Sequence, residues 1–115
     1  MQLSANAKVI CEQFGTAREL GSIADVNIYR IIQELVTNSV KHGHASQVLV
    51  QLTIAAENVL ISVEDDGRGF DLQVVQARPG IGLSNIRHRV NYFNGKMDIE
   101  SKPGEGTTVN IELIA

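Results

Sequence analysis

The stretch VLISVEDDGRGF, residues 59–70, decides how this chain is read. Its first six residues are rich in β-branched side chains and have the composition of a strand. They give way to two adjacent carboxylates, Asp65 and Asp66, and then to glycines at 67 and 69. A plain turn needs one glycine and tolerates any polar neighbour, so this stretch holds more than a turn requires. Asp65 follows a strand expected to be largely buried, where a carboxylate is costly unless a donor meets it. Asp66 and Arg68 read as exposed turn residues.

Working outward, VLVQLTI (48–54) is a second strand, joined to the first by the polar turn AAEN. Upstream, Ile28, Ile31, Ile32, Leu35, Val36 and Val40 recur at helical spacing between Ile23 and about Gly43, with Ser22 or Asp25 as starts and Gly43 as the stop. AKVICEQF (7–14) has strand composition, with Cys11 expected to pack within it, and GTARELGS (15–22) is a connector. Downstream, residues 66–80 form a loop ending in Pro79-Gly80, and a second helix from Leu83 to about Phe93 carries Ile86, Val90 and Phe93. Asn94-Gly95 marks a turn, KMDIES (96–101) a strand, KPGEG another turn and TTVNIELI (107–114) the last strand. The four later strands pair as hairpins and the two helices cover one face. The expected fold is an α/β (α+β) two-layer sandwich, with a mixed, mostly antiparallel sheet of about five strands covered on one face by helices.

Composition narrows the function classes. At 115 residues the chain suits one domain, 1–115. No apolar run is long enough to cross a membrane, and MQLSANAKVI has no signal-peptide pattern. The single cysteine rules out an internal disulfide framework and fits a reducing compartment. A net charge of −3 and 4% aromatic residues argue against a nucleic-acid surface built on basic stripes and stacking rings. An anionic ligand therefore needs a locally electropositive site.

Four constellations carry chemistry. In QELVTNSVKHG (33–43), Glu34, Asn38 and Lys41 share one helical stripe beside the apolar face. A polar stripe is ordinarily a solvated face, but an amide oxygen next to the core is also a hard ligand suited to Mg²⁺, which takes oxygen ligands and keeps several waters. In the opening stretch, Asp65 would accept from the exocyclic amine of adenine and repel the carbonyl that guanine presents in its place, while Gly67 and Gly69 let the backbone approach a flat ring. Its bland reading is an Asp-Gly turn. In PGIGLSNIRHRV (79–90), Gly80 and Gly82 lead into a helix, whose free N–H groups and dipole make an anion site. The segment 70–79 before it reads either as a movable lid or as an ordinary surface loop. In KPGEGTTV (102–109), Thr107 opens a strand where its hydroxyl can meet a base edge or Asp65; the plain alternative is a β-turn.

The order and spacing of these motifs say more than any one of them. Together they resemble the GHKL ATPase superfamily, whose members share the Bergerat fold. Glu34, Asn38, Lys41 and His42 match its N box, Asp65, Gly67 and Gly69 its first glycine box, Gly80 and Gly82 its second, and Gly106-Thr107 its closing motif. QELVTNSVKHG, the short lid, GIGLSNIRHRV and SKPGEGT look most like the ATP-binding domain of bacterial sensor histidine kinases of the nitrate-sensor and desaturase-sensor type. The resemblance spans roughly 25–115. One departure is FNG after the second helix, where relatives often have two glycines.

The resemblance implies ATP and Mg²⁺ as cofactors. Asn38 would ligate the Mg²⁺ that bridges the phosphates, and Lys41 with His42 would meet phosphate oxygens. Asp65 would read the adenine amine, supported by Thr107. Gly67, Gly69, Gly80 and Gly82 would shape the pocket, and the amides at 82–84, including Leu83 and Ser84, would bind phosphate. Glu34 holds the catalytic place that activates water in hydrolysing relatives. A histidine kinase phosphorylates a histidine on a separate two-helix dimerisation segment. None of His42, His44 and His88 reads as that acceptor, and no helical hairpin precedes residue 7. The expectation is thus a cytoplasmic catalytic domain, excised from a parent that is a membrane-bound or soluble sensor, and unable to autophosphorylate alone. Its implied partners are the parent's dimerisation segment and, indirectly, a response regulator, with no nucleic acid and no direct membrane contact. The alternatives are a stand-alone GHKL serine kinase acting as an anti-sigma factor, a module that only senses nucleotide, and a domain whose motifs are merely turns and caps.

Overall fold

The computed structural model describes residues 7–16, 18–69 and 83–115. The lid expected over 70–79 and the pocket glycines Gly80 and Gly82 lie outside the described residues. The elements run β1 (Lys8–Gly15), α1 (Ser22–Thr37), a π-helical turn (Asn38–His42) that continues α1, β2 (Gln47–Ile54), β3 (Asn58–Asp65), α2 (Leu83–Tyr92), β4 (Lys96–Ser101) and β5 (Thr107–Ile114).

The strands form one five-stranded sheet in the order β1-β2-β3-β5-β4. β2 with β3, β3 with β5 and β4 with β5 pair antiparallel, whereas β1 lies parallel to β2 at the edge. The mixed, mostly antiparallel sheet read from the sequence is the sheet observed. Strand periodicity sorts the faces. Val48, Val50 and Ile54 of β2, Val59, Ile61 and Val63 of β3, and Val109, Ile111 and Leu113 of β5 are buried, while the residues between them are half-buried or exposed. Ile28, Ile31, Leu35 and Val36 of α1 and Ile86 and Val90 of α2 close over that apolar face in one core.

The helix bounds agree with expectation, Ser22 as a start and Gly43 as the stop, although their capping has its own detail, and one placement, that of Cys11, departs from it. Helix α1 begins at Ser22, but Gly21 caps it and no side chain bonds to its free amides; Asp25 lies in the first turn, where its charge complements the dipole. At the other end, Gly43 is right-handed (φ −88°), and the left-handed residue that turns the chain is His44 (φ 51°). Cys11 lies in β1 but is exposed. As the edge strand, β1 has a neighbour on one side only and most of its residues face solvent, so the packing role expected of Cys11 is not realised.

Candidate functional site

The period of β3 carries its inward series, 59, 61 and 63, one step further to Asp65, which therefore points to the helix side of the sheet. The inward series of β5 begins at Thr107, and Thr107 faces Asp65 across the antiparallel ladder. Under the end of α1 the core thus terminates in a carboxylate beside a hydroxyl.

Asp65 is held by two donors from different elements. Ser39 Oγ donates to its Oδ2 at 2.6 Å, and the Gly67 N–H donates to its Oδ1 at 2.8 Å. Thr107, expected to support Asp65, is neither of these donors; its hydroxyl is paired with Ser101 Oγ at 2.7 Å. Ser39 was not singled out from the sequence. The signal for it lay only in its position, one residue after Asn38 in the helix that covers Asp65.

The π-helical turn explains how Ser39 gets there. The Gly43 N–H reaches back five residues to the Asn38 carbonyl at 2.9 Å, widening the last turn. Consecutive residues on an α-helix diverge by about 100°, yet Asn38 and Ser39 both line one pocket, together with Leu35, Gly43, Val63, Asp65, Leu83, Thr107 and Val109. The cavity left between them is small, about 20 Å³. Its apolar walls with a few convergent polar groups are the usual composition of a small-molecule site. A larger depression on the opposite face of the sheet, lined by Gln51, Lys96, Asp98 and Glu112 among others, holds none of the motif residues.

Asn38 and Glu34 share a further property. Among the described residues, Asn38 Nδ2 and Glu34 Oε2 are buried side-chain atoms with no hydrogen-bond partner. Such atoms are costly unless something outside the protein's own bonds satisfies them. Lys41 and His42 are exposed at the far end of the same turn. Leu83 and Ser84 open the described part of α2; Leu83 lines the pocket and Ser84 is exposed.

The loop after Asp65 is clasped to the end of the helix. The exposed Asp66 accepts from the Ser46 hydroxyl at 2.6 Å and from the Ser46 and Gln47 N–H groups at 2.9 Å each. The Ser46 hydroxyl first, then the Gln47 amide, hold its carboxyl below the ordinary value. Arg68 donates from its backbone to the Gly43 carbonyl at 2.8 Å and from Nε to the His42 carbonyl at 3.1 Å. Both residues are exposed as expected, but they join the two motifs physically. Gly67 is needed for this closeness: a Cβ there would lie 2.5 Å from the Gly43 carbonyl oxygen. Gly106 (φ 79°) likewise sits where a Cβ would lie 2.3 Å from the Asp65 carbonyl oxygen. The close approach that these glycines permit here is to the chain's own backbone.

The sensor histidine kinase ComP of Bacillus subtilis (strain 168) is 38% identical over 91 residues, covering 78% of this chain and 12% of ComP. The signal transduction histidine-protein kinase/phosphatase DegS of the same organism is 33% identical over 91 residues, covering 77% of this chain and 24% of DegS. The chain therefore spans a quarter or less of the length of these relatives. Among solved structures, the histidine kinase domain of the Erythrobacter litoralis EL346 blue-light activated histidine kinase superposes with a TM-score of 0.70 at 23% identity, over 92% of this chain and 51% of that one, which shows the shared fold. The model of the histidine kinase-, DNA gyrase B- and HSP90-like ATPases matches residues 24–114, and the chain belongs to that family.

Proposed function

We propose that this chain binds Mg-ATP and is the catalytic domain of a two-component sensor histidine kinase of the nitrate-sensor and desaturase-sensor type, donating the γ-phosphoryl group to a histidine on a separate dimerisation segment. The observation that carries the reading is the convergence of Asn38 and Asp65 on one apolar pocket between α1, β3, β5 and α2. Asp65 would accept from the adenine amine between the walls formed by Val63 and Val109. Among the described residues the buried Asn38 Nδ2 has no partner; as a donor it suits an acceptor such as a phosphate oxygen. Among the described residues no three His, Cys, Asp or Glu side chains cluster to hold a metal. A Mg²⁺ here would take the Asn38 amide oxygen and fill its shell with phosphate oxygens and water, as this ion commonly does.

Bound Mg²⁺ supplies charge neutralisation at the phosphates, and phosphoryl transfer asks of the protein mainly positioning. Lys41 would add positive charge at the phosphate end, with His42 beside it to meet phosphate oxygens. Glu34, one turn before Asn38, would face the reacting end as the catalytic carboxylate. The resemblance to ComP and DegS favours the kinase reading over a stand-alone anti-sigma serine kinase, since both relatives are histidine kinases by name. The working location is the cytoplasm, and the partners are the parent's dimerisation segment and a response regulator. The test is calorimetry with ATP, ADP and GTP, each with Mg²⁺ and with chelator. Saturable ATP binding, tighter with Mg²⁺ and stronger than GTP binding, is expected; no ATP binding, or equal binding of ATP and GTP, overturns the proposal.

A further inference from the structure

We infer that Ser39 sets base selectivity in this pocket as a positioning residue acting through Asp65, an inference that rests on the nucleotide-binding reading above. Ser39 is 6% exposed, a buried polar residue in a mostly apolar neighbourhood. A buried hydroxyl needs a partner, and this one gives its hydrogen to Asp65 Oδ2 at 2.6 Å, within the short range of charge-assisted bonds. The Gly67 N–H occupies Oδ1 at 2.8 Å. With one donor on each oxygen, from two different elements, the carboxylate cannot turn about its Cβ–Cγ bond without breaking a hydrogen bond. Each oxygen keeps further acceptor capacity. Of the other walls, Leu35, Val63, Leu83 and Val109 offer no side-chain donor, while Asn38 and Thr107 also line the pocket.

Two consequences follow for a purine in the pocket. An amine on the ring meets an acceptor already fixed in direction, so little ordering is needed at binding. A carbonyl in the same place faces the Asp65 acceptor, because the Ser39 hydrogen is committed to Asp65 and is not free to turn toward the base. Replacing Ser39 by alanine leaves the carboxylate in place but lets it rotate. The advantage of the amine-bearing base falls, and the phosphate end is untouched.

The experiment is calorimetry on the 115-residue protein with Mg²⁺, using ATP and purine riboside triphosphate, which differs only in lacking the ring amine. Wild type is expected to favour ATP. In Ser39→Ala, ATP affinity is expected to fall about tenfold while the analogue changes by about twofold or less. Ser39→Thr, which keeps the hydroxyl, is expected to retain the ATP-to-analogue ratio. That ratio is internal to each variant, so partial unfolding, which lowers both signals, does not alter it. An equal loss for both nucleotides in Ser39→Ala, an unchanged ratio, or a Ser39→Thr variant that discriminates no better than Ser39→Ala overturns the role of Ser39. Wild-type protein that binds the two nucleotides equally overturns the reading of the ring amine by Asp65, and with it the role of Ser39; protein that binds neither overturns the nucleotide reading itself.

Discussion

At Asn38, Asp65 and Asp66, single groups decide outcomes that the fold alone does not. The Asn38 amide lines the pocket, and among the described residues its Nδ2 has no partner. Asn38→Ala is expected to weaken ATP binding when Mg²⁺ is present and to change it little in chelator; a titration showing equal losses in both would overturn the metal role proposed for it. Asp65 is a fixed acceptor, and Asp65→Asn turns part of it into a donor. The preference for adenine over guanine nucleotides should then fall by about tenfold or more, a loss typical of a hydrogen bond to a charged group, as competition binding would show. Asp66 is held below the ordinary carboxylate value by Ser46 and Gln47. A carboxylate depressed in the folded state contributes stability above its unfolded pKa, about 4, and that contribution is lost as pH falls through the folded value. Asp66→Ala should therefore lower the melting temperature at pH 7, and the gap from wild type should narrow as pH drops below about 4. A gap independent of pH would mean that the charge plays no part.

At the scale of elements, the site stands on ordinary strand and helix physics. The inward series of β3 and β5 build the core, and their last inward members are Asp65 and Thr107. The core and the pocket are consequently one packed layer. Ile61, two inward steps from Asp65 and 1% exposed, tests this coupling. Ile61→Ala should cost about 2–5 kcal/mol of stability, the range for truncating a buried isoleucine. Chemical denaturation measures it, and a loss well under 1 kcal/mol would show a core far looser than the burial indicates. The π-helical turn is the second device at this scale. It widens the helix where Asn38 and Ser39 must both face inward, and the clasp from Asp66 and Arg68 to residues 42–47 ties the loop after β3 to that turn.

For the whole molecule, an acidic chain of net charge −3 places two of its ten Lys and Arg residues at the helix end, Lys41 in the π-helical turn and Arg68 bonded to it. Among the described residues, no helix is long and apolar enough to cross a membrane. The matched relatives are at least four times longer than the aligned portion, which covers 12% of ComP and 24% of DegS. The kinase reading therefore expects transfer to need a segment supplied by the parent. Incubated alone with radiolabelled ATP, the chain should acquire no phosphohistidine; mixed with a cognate dimerisation segment, it should label that segment's histidine. Labelling of serine on another protein, with no histidine labelled by any candidate segment, would favour the anti-sigma reading.

Element types, strand and helix bounds and the motif series were legible in the sequence because they rest on local properties: periodicity, β-branched composition, glycine at turns. Asp65, Asn38 and Thr107 were legible as candidates for the same reason, each lying at a motif position. The partners of Asp65 were not. Ser39 lies 26 residues away in sequence, and only the packing of α1 over β3, with its widened last turn, brings the hydroxyl to the carboxylate. The parallel placement of β1 and the exposure of Cys11 were hidden for a similar reason, since burial of an edge strand depends on how far the helices reach across the sheet. Local sequence determined which elements form and which residues carry charge; long-range contacts, which no short window of sequence encodes, decided which of those residues meet.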